Sequence, residues 1–103
     1  MKIDTNHKPS VIRLTQREVT MSGWTKAASK LSKLNNIKTP VIIDFDKVRY
    51  VSSGVLTSLV ETRTRLRDLG LELTLTINTE ELMRLFKMLR FDTIFTVDCK
   101  IAA

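Results

Sequence analysis

The chain has 103 residues, of which 43% are hydrophobic and 27% charged, and its formal net charge is +6. This length suits one domain with one core, and the composition excludes wholesale disorder. No run approaches the roughly 18 consecutive apolar residues of a membrane-spanning helix, no signal peptide follows Met1, and a lone Cys99 cannot form an internal disulfide. We expect one cytoplasmic domain over residues 1–103, with residues 1–9 a flexible arm and residues 98–103 a frayed tail.

The positive charge lies in the first half of the chain. Through Gly54 there are ten Lys/Arg and four Asp/Glu, whereas from Val55 onward there are seven of each. The cations are scattered, and the aromatic residues mostly fall on apolar stripes, unlike the clustered pattern of nucleic-acid-binding surfaces. We interpret the excess as a solvated basic face and expect no direct nucleic-acid partner.

The first elements are short strands followed by a helix. Residues 10–14 and residues 18–21 are predicted to be strands. A helix over residues 23–34 is indicated by apolar residues at a spacing of three and four, namely Trp24, Ala27, Ala28, Leu31 and Leu34. It ends before Pro40, which cannot continue a helix. The β-branched run over residues 41–45 predicts a strand buried on both faces.

The second half repeats the alternation of helix and strand. A helix over residues 54–69 is predicted to end at Gly70 in a left-handed cap. Its apolar face comprises Val55, Leu56, Leu59, Val60, Leu66 and Leu69. A strand follows over residues 71–77, and then a helix that Asn78 and Glu81 cap together. The core stripe of this helix comprises Leu82, Leu85, Phe86 and Leu89, with Met83 and Met88 as packing residues. A last strand is expected over residues 93–97.

Together these elements predict an α/β fold, a single domain whose mixed sheet of four to five strands is flanked by helices. In open α/β sheets, functional sites lie in the loops that follow the carboxyl ends of strands. The loop over residues 46–53 leaves a predicted buried strand and leads into a helix. We therefore place the candidate site there.

Residue patterns typical of catalysis are nearly absent. His7 is the only histidine and lies in a polar N-terminal arm. Cys99 and His7 lack the spacing of metal ligands. Asp44 and Asp46 form a pair that more often marks the end of a strand than a metal site. Three isolated glycines do not form a phosphate-binding loop. We expect no enzymatic activity, no metal and no cofactor.

The segment Ser52-Ser53-Gly54 permits two interpretations. In the ordinary one, a serine hydroxyl caps the helix and the glycine allows a close backbone approach. The same helix start offers free amides and the positive end of the helix dipole, which tolerate an attached phosphoryl group. A serine hydroxyl here is thus also a plausible regulatory switch.

A series of motifs in fixed order resembles the STAS domain of bacterial anti-sigma factor antagonists. The series consists of residues 41–45, Ser52-Ser53-Gly54-Val55, Gly70, residues 73–77 and Phe91-Asp92-Thr93-Ile94-Phe95, and residues 11–34 fit the weaker N-terminal half of the family pattern. The resemblance spans nearly the whole chain. As an ordered set, these motifs are much more specific than Ser-Ser-Gly alone.

The resemblance implies a phospho-regulated partner switch. An anti-sigma factor with serine kinase activity binds through Val51, Ser52, Ser53, Gly54 and Val55. It then phosphorylates Ser53, with Ser52 as the fallback acceptor, and a phosphatase resets the cycle. The kinase binds the ATP, and no membrane insertion is expected. Two features depart from the family: Val51 stands where an acidic residue is usual, and the net charge is basic. The alternative is constitutive binding without phosphorylation, as a scaffold in a stress-signalling assembly or a subunit of a lipid-transport complex.

Overall fold

The computed structural model of the chain describes residues 9–20, 29–33 and 39–101. The strands are β1 (Ser10–Leu14), β2 (Val41–Phe45), β3 (Leu73–Ile77) and β4 (Thr96–Cys99), and the helices are α1 (Ser53–Asp68), α2 (Glu80–Met88) and α3 (Phe91–Ile94). Residues 29–32 are also helical and include the buried Leu31. The other apolar residues predicted for that helix, Trp24, Ala27, Ala28 and Leu34, lie outside the described residues, as do residues 1–8. In the described ranges, no helix is both long and apolar enough to cross a bilayer.

The four strands form one sheet in the order β1-β2-β3-β4, and every pairing in it is parallel. The α/β prediction is confirmed, but the sheet is not mixed, since all the described strands run in one direction. Parallel neighbours need a crossover connection, and such connections are right-handed in nearly all proteins. Successive right-handed crossovers in one direction place their helices on the same face of the sheet.

The core accordingly lies on one face of the sheet. Alternate residues of β2 and β3 are buried, and the residues between them are only half-buried. The buried set from both strands belongs to the same hydrophobic cluster as the buried faces of α1 and α2; it comprises Val41, Ile43, Phe45, Leu73, Leu75 and Ile77. The prediction that β2 is buried on both faces is therefore wrong, because both crossover helices cover the same side.

Helix α1 ends where the sequence predicts. Gly70 has φ +74°, its N–H donates to the carbonyl of Arg67 at 2.9 Å, and the N–H of Leu71 donates to the carbonyl of Leu66 at 2.8 Å. These two bonds form a Schellman cap. The predicted apolar face is only partly correct, since Val60 is 37% exposed and Leu69 is 55% exposed.

Helix α2 is capped differently from the prediction. Thr79 is the N-cap residue, and its Oγ1 accepts from the N–H of Leu82 at 3.4 Å. Asn78 lies one residue too early to cap the helix, and its Oδ1 instead accepts from the N–H of Lys47 at 3.0 Å. Glu81 lies one residue too early for a capping box with Thr79, and it pairs with Arg49.

The buried face of α2 is narrower than the predicted stripe. Leu82 and Phe86 are fully buried, and Leu85 and Met83 pack against the core from partly buried positions. Met88 is 77% exposed and Leu89 is 41% exposed, so the predicted packing roles of these two residues are wrong.

A short helix replaces the first part of the predicted last strand. The ring centroids of Phe91 and Phe95 lie 5.2 Å apart, because one helical turn brings the two rings together, and the ring of Phe91 also lies 5.4 Å from that of Phe86 in α2. The strand therefore starts later, at Thr96. Asp98 belongs to β4, and the N–H of Lys100 donates to the carbonyl of Ile77 at 2.7 Å, so the predicted frayed tail does not begin at residue 98.

Residues 16–19 form a turn, although residues 18–21 were predicted to be a strand. The N–H groups of Glu18 and Val19 both donate to the carbonyl of Thr15, at 3.0 and 3.2 Å. Glu18 closes the turn, because its Oε1 accepts from the backbone N–H and from the hydroxyl of Thr15, each at 3.0 Å. Met21 lies outside the described residues.

Candidate functional site: the serine pair at the start of a helix

The structure places Ser53 at the first residue of α1, with its side chain exposed. Ser52 is the N-cap residue, in extended conformation at φ −72° and ψ 157°. Ser52 and Gly54 are half-buried, whereas Val51 is 8% exposed and Val55 is fully buried. Of the five residues predicted to bind a partner, the two valines therefore anchor the segment in the core. The other three are left at the surface.

The serine hydroxyls do not cap the helix in the predicted way. The side chain of Ser52 makes no capping hydrogen bond, and its carbonyl accepts from the N–H of Leu56 at 3.1 Å. The first turn of α1 contains no acidic residue. Since the first amides of a helix have no partner within it, this end of α1 retains the positive character that stabilises an anion.

The side chain of Gln16 holds the loop before the serines. Its Oε1 accepts from the N–H of Arg49 at 2.7 Å and from the N–H of Tyr50 at 3.4 Å. Its Nε2 donates to the carbonyl of Tyr50 at 2.9 Å. One amide side chain thus fixes two consecutive residues of the loop and presents Tyr50, which is 58% exposed, to solvent.

Further bonds hold the same loop from the side of α2. The hydroxyl of Thr79 donates to the carbonyl of Val48, whose side chain is fully buried, and Asn78 accepts from the N–H of Lys47 as described above. Lys47 has φ 57°, so its backbone is in the left-handed region. The ion pair between Arg49 Nε and Glu81 Oε2, at 3.6 Å, joins two exposed side chains and therefore contributes little to stability.

The turn over residues 15–19 supports the serine pair directly. The N–H of Ser52 donates to the carbonyl of Val19 at 2.8 Å. The neighbouring Glu18 is buried, and its Oε2 lies 2.6 Å from Lys30 Nζ. Burial raises the pKa of the Glu18 carboxyl, but hydrogen bonds from Lys30 and Thr15 outweigh it and hold that pKa below its ordinary value. The turn is thus fastened by an ionised carboxylate.

Sequence reasoning missed Gln16, Asn78 and Thr79 as residues that shape the site. Their bonds to the loop join positions 31 to 34 residues apart in the chain. No local pattern signals such a bond. The only available hint was that polar residues follow β1 and β3, whose carboxyl ends lie at the same edge of the sheet as the carboxyl end of β2.

The other residues considered for chemistry lie apart. His7 is outside the described residues, and Cys99 is exposed in β4. Asp44 faces Arg13 across the β1–β2 pairing, with Arg13 Nε 3.5 Å from Asp44 Oδ2, while Asp46 follows the strand in a turn. Within the described part of the chain, no three His, Cys, Asp or Glu side chains are grouped to hold a metal ion. What the site offers is an exposed Ser53 side chain directly after a loop whose backbone is held by hydrogen bonds.

Comparison with known proteins agrees with this architecture. The family model described as STAS domain matches residues 2–103, which is nearly the whole chain. Among curated proteins, no match is found.

Proposed function

The chain belongs to the STAS domain family, and from that membership we propose that it is an anti-sigma factor antagonist. In this proposal, the surface formed by Ser52, Ser53 and Gly54 binds an anti-sigma factor with serine kinase activity. Phosphorylation of Ser53 releases that partner, and a phosphatase restores the binding form. The switch operates in the cytoplasm and involves no catalysis by this chain and no direct contact with nucleic acid.

The observation that carries the proposal is the position of Ser53. Its side chain is exposed at the first residue of a 16-residue helix, next to an N-cap residue whose hydroxyl makes no capping bond. A kinase needs such access to the acceptor hydroxyl. The bonds from Gln16, Thr79 and Val19 hold the preceding loop in one geometry, which lowers the entropy lost when a partner binds.

The physical effect of phosphorylation follows from the same position. A phosphoryl group adds nearly two negative charges and three strong acceptors at neutral pH. The amino end of α1 stabilises this charge, so the domain stays folded. A partner surface fitted to a neutral hydroxyl must desolvate the phosphate and therefore loses affinity.

The test uses an anti-sigma factor kinase from the same cell, with ATP. We expect Ser53→Ala to bind the kinase and resist phosphorylation, and Ser53→Asp to fold normally and bind at least tenfold more weakly. Ser52→Ala distinguishes the fallback acceptor, and Ser58→Ala, five residues further along α1, is the control. Mass spectrometry follows the phosphate, and calorimetry follows binding.

One observation favours the alternative of constitutive binding. Val51, which stands where the family has an acidic residue, is 8% exposed and belongs to the core, so no carboxylate from this position lies beside Ser53. If phosphate appears on neither serine and Ser53→Asp binds as tightly as the wild type, the phospho-switch is refuted. A role as a scaffold in a stress-signalling assembly or as a lipid-transport subunit then accounts better for the site.

A further inference from the structure

Exposed apolar side chains are concentrated at the edge of the sheet opposite Ser53. In the described ranges, seven large hydrophobic side chains are exposed: Val11, Tyr50, Val60, Leu69, Met88, Leu89 and Ile94. The last four belong to the segments where α1 and α2 end and β3 and β4 begin. Since Ser53 lies where α1 begins, this edge is not part of the candidate site.

The two helix ends lie at the same edge of the sheet, each before one of two paired strands. Helix α1 leads into β3, and α2 leads through α3 into β4, and these two strands are paired. Arg63 Nε donates to the carbonyl of Ile94 at 2.6 Å, which joins α1 directly to α3. We call the exposed residues 67–70 and 87–90, together with Ile94, the amino-end surface.

Cations surround the apolar side chains of the amino-end surface. Lys87, Met88, Leu89 and Arg90 are four consecutive exposed residues, in which two apolar side chains are flanked by two cations. Arg67 is exposed beside Leu69 in the other helix end. Residues 63–73 and 87–96 together contain five Lys/Arg and three Asp/Glu, one of which is the exposed Asp68. Their net charge is therefore +2.

This combination restricts what the surface can bind. A second copy of the chain would bring like charges together, which opposes association. Nucleic acid is poorly matched, because the exposed apolar side chains are aliphatic and offer no stacking. Docking of a partner helix would require a hydrophobic groove. The concavity between the two helix ends has a volume of about 150 Å³ and is open to solvent, and it is lined by Arg63, Arg67, Leu71, Glu72, Leu73, Ile94 and Thr96. The charged side chains in this lining do not suit the apolar face of a partner helix.

We propose that the amino-end surface attaches the protein peripherally to an anionic phospholipid bilayer. Met88, Leu89 and Leu69 enter the headgroup region, and Lys87, Arg90 and Arg67 pair with lipid phosphates. In this orientation the Ser53 edge of the sheet faces away from the bilayer and stays accessible. The proposal is independent of the partner switch.

The experiment measures co-sedimentation of the full chain with vesicles of mixed phosphatidylglycerol and phosphatidylcholine, and with vesicles of phosphatidylcholine alone. We expect binding to the anionic vesicles that weakens as salt is raised. Lys87→Gln should lower the partition coefficient about fivefold, the effect of one cation near an anionic surface. The double variant Met88→Ser, Leu89→Ser should lower it about tenfold, because apolar insertion is lost.

Matched controls lie at the opposite edge of the sheet. Lys47→Gln changes the net charge as Lys87→Gln does, and Tyr50→Ser removes a comparable exposed apolar side chain; both should bind vesicles like the wild type. Absence of wild-type binding to anionic vesicles overturns the proposal, as does an equal loss of binding in Lys47→Gln and Lys87→Gln. Circular dichroism checks each fold, and Leu69→Ser replaces the double variant if that one fails to fold.

Discussion

The three hydrogen bonds from Gln16 show how a single side chain can set the shape of a functional loop. Its partners are the backbone groups of Arg49 and Tyr50, which no helix or strand engages. Backbone groups outside helices and strands bond to side chains or to water, and here a distant amide is the partner. The geometry of the loop therefore depends on a residue from a different part of the chain.

We predict that Gln16→Leu loosens this loop without unfolding the domain. The amides of Arg49 and Tyr50 should exchange faster with solvent, and the free energy of unfolding should fall by about 1 kcal/mol, since the lost bonds are partly replaced by water. Hydrogen exchange read by mass spectrometry or NMR measures the change. Arg17→Leu, in the same turn, is the control; equal protection of the two amides in both variants would contradict the prediction.

Residue-level prediction succeeded where the signal was local. Ser53 was expected at a helix start because a glycine and an apolar stripe follow it, and that placement is confirmed. The absence of a capping bond from Ser52 and the burial of Val51 were not predicted. Both depend on how the loop is held by Gln16 and the turn over residues 15–19, which the sequence pattern does not reveal.

At the scale of single elements, the end of α1 gives a clean test of backbone strain. Gly70 has φ +74°, and a Cβ built there would have no atom within 4 Å. Gly70→Ala should therefore lower the free energy of unfolding by about 1 kcal/mol, because alanine is strained in the left-handed conformation. Chemical denaturation measures the loss, with Thr64→Ala in the exposed helix interior as the control. An alanine variant as stable as the wild type would show that the cap relaxes out of the left-handed region.

The bounds of helices and strands were predictable where the spacing of apolar residues in the sequence matches the buried face. The strands β1 and β2 begin and end where the sequence indicates, and the Schellman cap follows from Gly70. Helix α3 was missed, because four residues are too few to show a helical period. What makes it helical is contact among phenylalanine rings, and this contact depends on the position of α2.

For the whole molecule, the ion pair between Glu18 and Lys30 predicts how stability depends on pH. Because the pKa of folded Glu18 lies below its ordinary value of 4.5, the ionised form stabilises the fold. This contribution is complete above the ordinary value and is lost as the pH falls through the lowered one. Glu18→Gln should thus cost about 2 kcal/mol at neutral pH, the magnitude of a charge-assisted hydrogen bond.

Measuring unfolding free energies from pH 7 downward tests the sign of this effect. The difference in the free energy of unfolding between the wild type and Glu18→Gln should become smaller below the ordinary pKa. The difference between the wild type and Lys30→Met should become smaller over the same pH range. A difference that stays constant or widens toward acid would refute the role of the ionised carboxylate.

The face of the sheet that the helices cover was the least predictable property of the molecule. Alternating strands and helices indicate crossovers, but the mostly apolar, β-branched sequence of β2 predicts burial on both faces, whereas Ile42 and Asp44 are only half-buried. Which face is covered depends on the order of the strands. That order is decided by packing between elements, not by the pattern of any one of them.

The strand order β1-β2-β3-β4 also has a consequence for how the molecule is made. Each strand pairs with the one before it, so a nascent chain leaving the ribosome meets its pairing partner already present, with no wait for later sequence. The order of synthesis can then be the order of assembly. The carboxyl edge that carries Ser53 would be completed once β3 has emerged with Asn78 and Thr79, which hold its loop, while the amino-end surface would be completed only when α2, α3 and β4 close the sheet.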